Sequence, residues 1–103
     1  MWTPTHAGTT KGTSGSEGGI IVCDDEQPDG SRITLERDGH APWSITCGIP
    51  GVMVHTRFFA TEAAAATAYP DMQTALDQVI EALSGEPTPG SPDPVGAFIE
   101  RFP

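Results

Sequence analysis

The glycine and proline residues of this chain are crowded into its two ends. Residues 1–19 hold 6 of the 22 and residues 84–103 hold 8, leaving 8 for the 64 residues between them. Glycine raises the entropic cost of ordering a backbone and proline removes a hydrogen-bond donor, so the stretch 20–83 is the part suited to building a core. A unit of that size has no room for a Rossmann domain, a TIM barrel or any fold assembled from several βαβ units of about 30 residues each. No apolar run approaches the ~20 residues of a membrane-spanning helix, and no basic segment followed by an apolar one opens the chain. The expected product is a soluble, cytoplasmic protein.

Charge narrows the partners. Against 14 acidic residues stand 5 basic ones, a net charge of −9. Residues 61–83 carry Glu62, Asp71, Asp77 and Glu81 and no base. Nucleic acid and anionic membranes both require lysine or arginine to neutralise phosphate, and no basic stripe or tail exists here. The acidic stretch is read as a solvated helix face.

Residues 1–18 are mostly glycine, threonine and serine with an isolated Trp2, and are expected to be disordered. From Gly19 the pattern changes to short β-like runs. Ile20–Cys23 is closed by the acidic turn Asp24–Gly30, and Arg32–Arg37 alternates strictly until Asp38-Gly39, a hairpin signal. Trp43–Cys47 alternates up to Gly48-Ile49-Pro50-Gly51, after which comes Val52–Phe59. Thr61 is a candidate N-cap for a helix in which Tyr69, Met72, Leu76, Val79, Ile80 and Leu83 form one apolar stripe. Pro70 interrupts that stripe, either kinking the helix near Ala66 or starting its main part. The expected architecture is α+β: a domain over 19–84 of four antiparallel strands in a meander, with one long C-terminal helix packed on one face. Residues 85–94 are expected to form a Pro/Gly linker, and 95–103 an apolar segment that docks on the domain or on something else.

Register follows from the alternation. A turn at Ile49-Pro50 pairs Cys47 with Val52, Ile45 with Val54 and Trp43 with Thr56. A three-residue loop Asp38–His40 pairs Ile33 with Ile45 and Leu35 with Trp43, keeping the apolar residues on one face. Trp43, Ile45, Cys47, Val52, Val54 and Phe58 then face the helix. Arg32, Thr34, Glu36, Ser44, Thr46, Met53, His55, Arg57 and Phe59 occupy the other, polar face.

That register disposes of several chemistries. A nucleophilic thiol needs a base within hydrogen-bond reach, and Cys47 and His55 fall on opposite faces. Zinc ligands must lie within about 2.0–2.3 Å of one ion, whereas a strand of seven residues separates His40 from Cys47 by roughly 23 Å. A Cys23–Cys47 disulfide would have to cross an intervening strand, about 9–10 Å, beyond the ~7 Å reach of bridged Cα atoms. Ser44 opposite His55, with Glu36 diagonal, matches a hydrolytic triad in residue type only, with no nucleophile turn or oxyanion loop beside it.

No catalytic, cofactor-binding or metal-ligating residue is therefore assigned, and no cofactor is expected. The reading is a non-enzymatic binding or regulatory module, its partner a protein or a second copy of the chain. Its interaction surface is expected at Arg32, Thr34, Glu36, Met53, His55, Arg57 and Phe59, with Phe98 and Phe102 of the C-terminal segment. The alternative is a small metal- or thiol-dependent accessory protein using Cys23, Cys47 and the acidic turn. A third, a ligand held between helix and sheet beside the Ala63–Ala66 run, requires an unfilled core.

Overall fold

A computed structural model of the chain describes residues 1–85, 90 and 93–103. Most of the expected linker 85–94 lies outside them. Five strands form one antiparallel sheet in the order β1-β2-β3-β4-β5. They are β1 (Thr3–Pro4), β2 (Ile20–Glu26), β3 (Arg32–Arg37), β4 (Trp43–Ile49) and β5 (Met53–Phe59). Two helices follow, α1 (Glu62–Ser84) and α2 (Pro94–Arg101). The fold is thus α+β with an antiparallel sheet and a long helix, as the alternation and the apolar stripe imply. It has one more strand and one more helix than expected.

The helix-side core is built from alternate strand residues, Ile33 and Leu35 of β3 and Ile45, Cys47 and Ile49 of β4. Against them pack Ala65, Ala68, Tyr69, Met72, Ala75, Leu76 and Val79 of α1. The small residues of α1 admit the helix close to the sheet, where Ala65, Met72 and Leu76 are fully buried. Thr61 caps α1, its hydroxyl accepting from the Ala64 N–H at 3.2 Å. Pro70 is accommodated within the single 23-residue helix. The carbonyl it leaves unpaired belongs to Ala66, on the exposed face.

The hairpins depart from the expected registers in different ways. The β3–β4 loop spans Asp38–Pro42, closed by the Asp38 N–H donating to the Pro42 carbonyl at 3.0 Å. Ile33 therefore pairs with Cys47 and Leu35 with Ile45. This is a slip of two residues, which preserves the faces. At the β4–β5 hairpin, β4 continues through Ile49 and the turn falls at Pro50-Gly51, with Gly51 at φ 73° and the Val52 N–H bonded to the Ile49 carbonyl at 2.9 Å. Proline followed by a glycine of positive φ is the sequence of a type II turn. Cys47 now pairs with His55, Ile45 with Arg57 and Trp43 with Phe59. The slip is odd, so every β5 side chain changes face.

The expected disorder of residues 1–18 is replaced by an ordered arm. β1 pairs with β2, and the chain then crosses the back of the sheet. The Gly12 N–H donates to the Ile21 carbonyl at 2.8 Å, and the Ile21 N–H to the Thr13 carbonyl at 2.9 Å. Trp2 is half-buried against the core, its indole N–H donating to Asp77 of α1 at 3.3 Å. Few apolar residues mark this arm because polar bonds hold it. Asp24 and Asp25, read as part of a turn, are strand residues of β2. Asp24 is directed to the back face, while Asp25 accepts from the Tyr69 hydroxyl at 2.7 Å on the helix face. Between Ile21 and Cys23 a bulge interrupts the β2 pairing.

Candidate functional site

The residues expected to share one surface are divided between two. Arg32, Thr34 and Glu36 lie on the back face with Ser44 and Thr46, under and beside the N-terminal arm. Met53, His55, Arg57 and Phe59 lie on the helix face, where Phe98 and Phe102 of α2 join them. Phe98 is packed edge-on to the His55 ring, 6.3 Å between centroids, and Phe102 lies 5.0 Å from Phe98. A ring nitrogen of His55 is hydrogen-bonded to the Phe102 carbonyl. The Arg57 guanidinium stacks at 5.0 Å over Phe59 and 5.7 Å over Phe102. Asp93 caps α2 by accepting from the Val95 N–H at 3.1 Å, and Pro94 occupies the first turn, so the eight-residue segment is helical where it docks. The C-terminal segment thus packs on His55 and Arg57 of the expected interaction surface.

The new register brings Cys47 and His55 together as cross-strand neighbours, reversing the expectation that they lie on opposite faces. Their chemistry stays apart. Cys47 is buried, which pushes its thiol up to about 12, and the hydrogen bond of His55 goes to Phe102. Burial also raises the Cys23 thiol, with Lys11 partly opposing the effect. Both cysteines are free, and β3 separates their strands. Ser44 pairs with Phe58 and directly with Glu36, on the face opposite His55. Among the described residues no group of three or more His, Cys, Asp and Glu side chains is arranged to hold a metal ion.

On the back face the polar residues are satisfied internally. Asp24, almost fully buried, accepts from the Thr5 hydroxyl at 2.7 Å, from Arg32 Nε at 2.8 Å and from the Thr34 hydroxyl at 3.2 Å. Burial alone would raise its pKa, but the bonds from Arg32 and Thr5 outweigh that effect and hold the carboxyl below its ordinary range. Buried Glu36 accepts from the Gly19 N–H at 3.1 Å and the Glu17 N–H at 3.2 Å. The arm approaches so closely that a Cβ at Gly19 would lie 2.5 Å from the Arg37 carbonyl oxygen. Arg32, Thr34 and Glu36 therefore serve largely to seat the arm.

What remains open on this face lies toward β5. A groove of about 370 Å³ runs between the arm at Ser14–Ser16 and the sheet, with Thr34 and Thr46 on its floor and Val54 on its far side. A second, of about 470 Å³, adjoins it at Gly48 and Val54 and extends past the Pro50-Gly51 turn. Beside them Val54 is 81% exposed, Phe58 53% and Val52 43%. Sequence reasoning placed these three in the core. The signal that would have moved them was the Pro-Gly pair, which turns the chain at Pro50-Gly51 and leaves Val52 as a third loop residue, so that Ile49 pairs with Met53.

Compared with protein-family models, with curated proteins and with solved structures, the chain matches none.

Proposed function

We propose that this protein is a non-enzymatic interaction module that binds a protein partner through the back of β5 and the groove beside it. The observation carrying this reading is the exposure of Val54 and Phe58, two large apolar side chains on one face of a regular strand. Isolated exposed apolar residues are ordinary, but two on one face of an edge strand, with only Thr56 between them and a groove alongside, make a contact strip. The absence of an activated nucleophile among Cys23, Cys47 and Ser44 supports a binding role over catalysis. A photo-crosslinking residue placed at position 54 or 58 is expected to yield discrete protein adducts in cells. The same residue at position 66, on the exposed face of α1, is expected to yield background only. Equal labelling at all three positions would remove this reading.

A further inference from the structure

We infer that the partner seated on β5 is the β5 strand of a second copy of this chain, paired antiparallel about a two-fold axis at Thr56. This rests on the reading of β5 as a binding surface and names its occupant. Two five-stranded sheets would become one continuous sheet across the dimer.

The two edges of the sheet are treated differently. At one edge stands β1, only two residues long and ending in Pro4, and behind it β2 is broken by a bulge. Shortness, proline and a bulge are the devices by which sheets prevent edge-to-edge pairing. At the other edge β5 runs for seven residues without proline, and its pairing with β4 is unbroken from Met53 to Phe59. Among the described residues, no backbone hydrogen bond from outside the sheet reaches β5.

The strand is also complementary to itself. Pairing about Thr56 sets Val54 opposite Phe58 of the other copy, and Phe58 opposite its Val54. The two exposed apolar residues of each strand are then covered by those of its partner. Aliphatic and aromatic side chains directly opposite each other are favoured cross-strand pairs. A one-residue slip would break this match.

Charge is compatible with the same place. Two chains of net charge −9 repel, yet residues 39–61 contain no aspartate or glutamate. The β4–β5 hairpin therefore brings no acidic side chain of its own to a meeting of two copies. Its one arginine, Arg57, projects to the helix face and is stacked on Phe59 and Phe102.

A single strand pair buries less than the ~1,200–2,000 Å² of a standard stable interface, so the dimer is concentration-dependent. Sedimentation equilibrium of the full chain should show the mass rising from 10.8 kDa toward twice that value. Val54→Asp, at an exposed position, should raise the dissociation constant roughly 10-fold or more, because it spoils two symmetry-related pairs at once. Phe58→Lys alone should also weaken association. The double variant V54D/F58K, in which each introduced carboxylate faces the introduced amine of the other copy, should recover most of it. Circular dichroism confirms that each variant is folded. A chain that stays monomeric at every concentration, or a dimer indifferent to these substitutions, would overturn the inference. If that monomer still yields crosslinks to another protein from position 58, the binding reading stands and only the second copy is lost. If both fail, the binding reading falls as well.

Discussion

Asp24 shows how a buried charge is kept in a small protein. Its carboxylate accepts from Thr5 of the arm, from Arg32 and from Thr34, and the half-exposed Arg32 keeps contact with water. Because the folded pKa lies below the unfolded one, the stability that Asp24 contributes is fully present above the ordinary carboxylate range. It is lost as pH falls through that range toward the lower folded value. Asp24→Asn is therefore expected to cost about 2 kcal/mol at neutral pH. Paired denaturant titrations at pH 7 and pH 3 should show that difference shrinking in acid. The thiols give a second expectation at this scale. With Cys47 buried and its thiol pushed up to about 12, the native protein should react with a thiol reagent slowly and through Cys23 first. Cys47 should become accessible only on unfolding, and a fast reaction of Cys47 in the Cys23→Ser variant would contradict the assignment.

At the level of elements, α1 and β5 respond to opposite constraints. α1 tolerates Pro70 because the unpaired Ala66 carbonyl faces solvent while the opposite side of the helix carries the core. Pro70→Ala restores the missing bond and loses no buried contact, so it should raise stability by about 1–3 kcal/mol, read as an increase in the thermal midpoint. β5 holds Met53, His55, Arg57 and Phe59 toward the helices, a mixed set that alternation alone does not rank above Val52, Val54 and Phe58. The meander, the α1 stripe and its Thr61 cap were legible in the sequence because each rests on local spacing. The face of β5 was not, because it depends on a loop of three residues, Pro50–Val52, in place of two, which changes the parity, and on α2, which supplies apolar cover from more than 40 positions away. The β3–β4 hairpin tolerated a comparable error since its slip was even. The candidate surface split for the same reason: Arg32, Thr34 and Glu36 kept their face while Met53, His55, Arg57 and Phe59 exchanged theirs.

For the whole molecule, the arm changes what counts as the domain. Glycine, serine and threonine suggest disorder when no partner is visible, but here they supply short backbone approaches and hydroxyl donors to carboxylates already committed to burial. Asp24 and Glu36 are those carboxylates, and neither spacing nor hydropathy identifies them as receptors for residues 5, 17 and 19. Deleting residues 1–18 should therefore destabilise the protein by about 3 kcal/mol or more, since it removes Thr5 and Glu17 from buried charges. Chemical denaturation of the truncated chain measures the loss, and unchanged stability would mean that the arm is dispensable.

The strand order, in which every strand pairs with its neighbour in sequence, also sets a timetable. Hairpins of such short loops close early and need little chain entropy to do so. The arm joins residues as far apart as Trp2 and Asp77, 75 positions along the chain, and must wait for the sheet and α1 to exist. Elements that dock last onto a finished scaffold are also the first to let go. Amide protons bonded between the arm and β2, at Gly12 and Ile21, should therefore exchange with solvent through partial opening, well before those shared by β3 and β4.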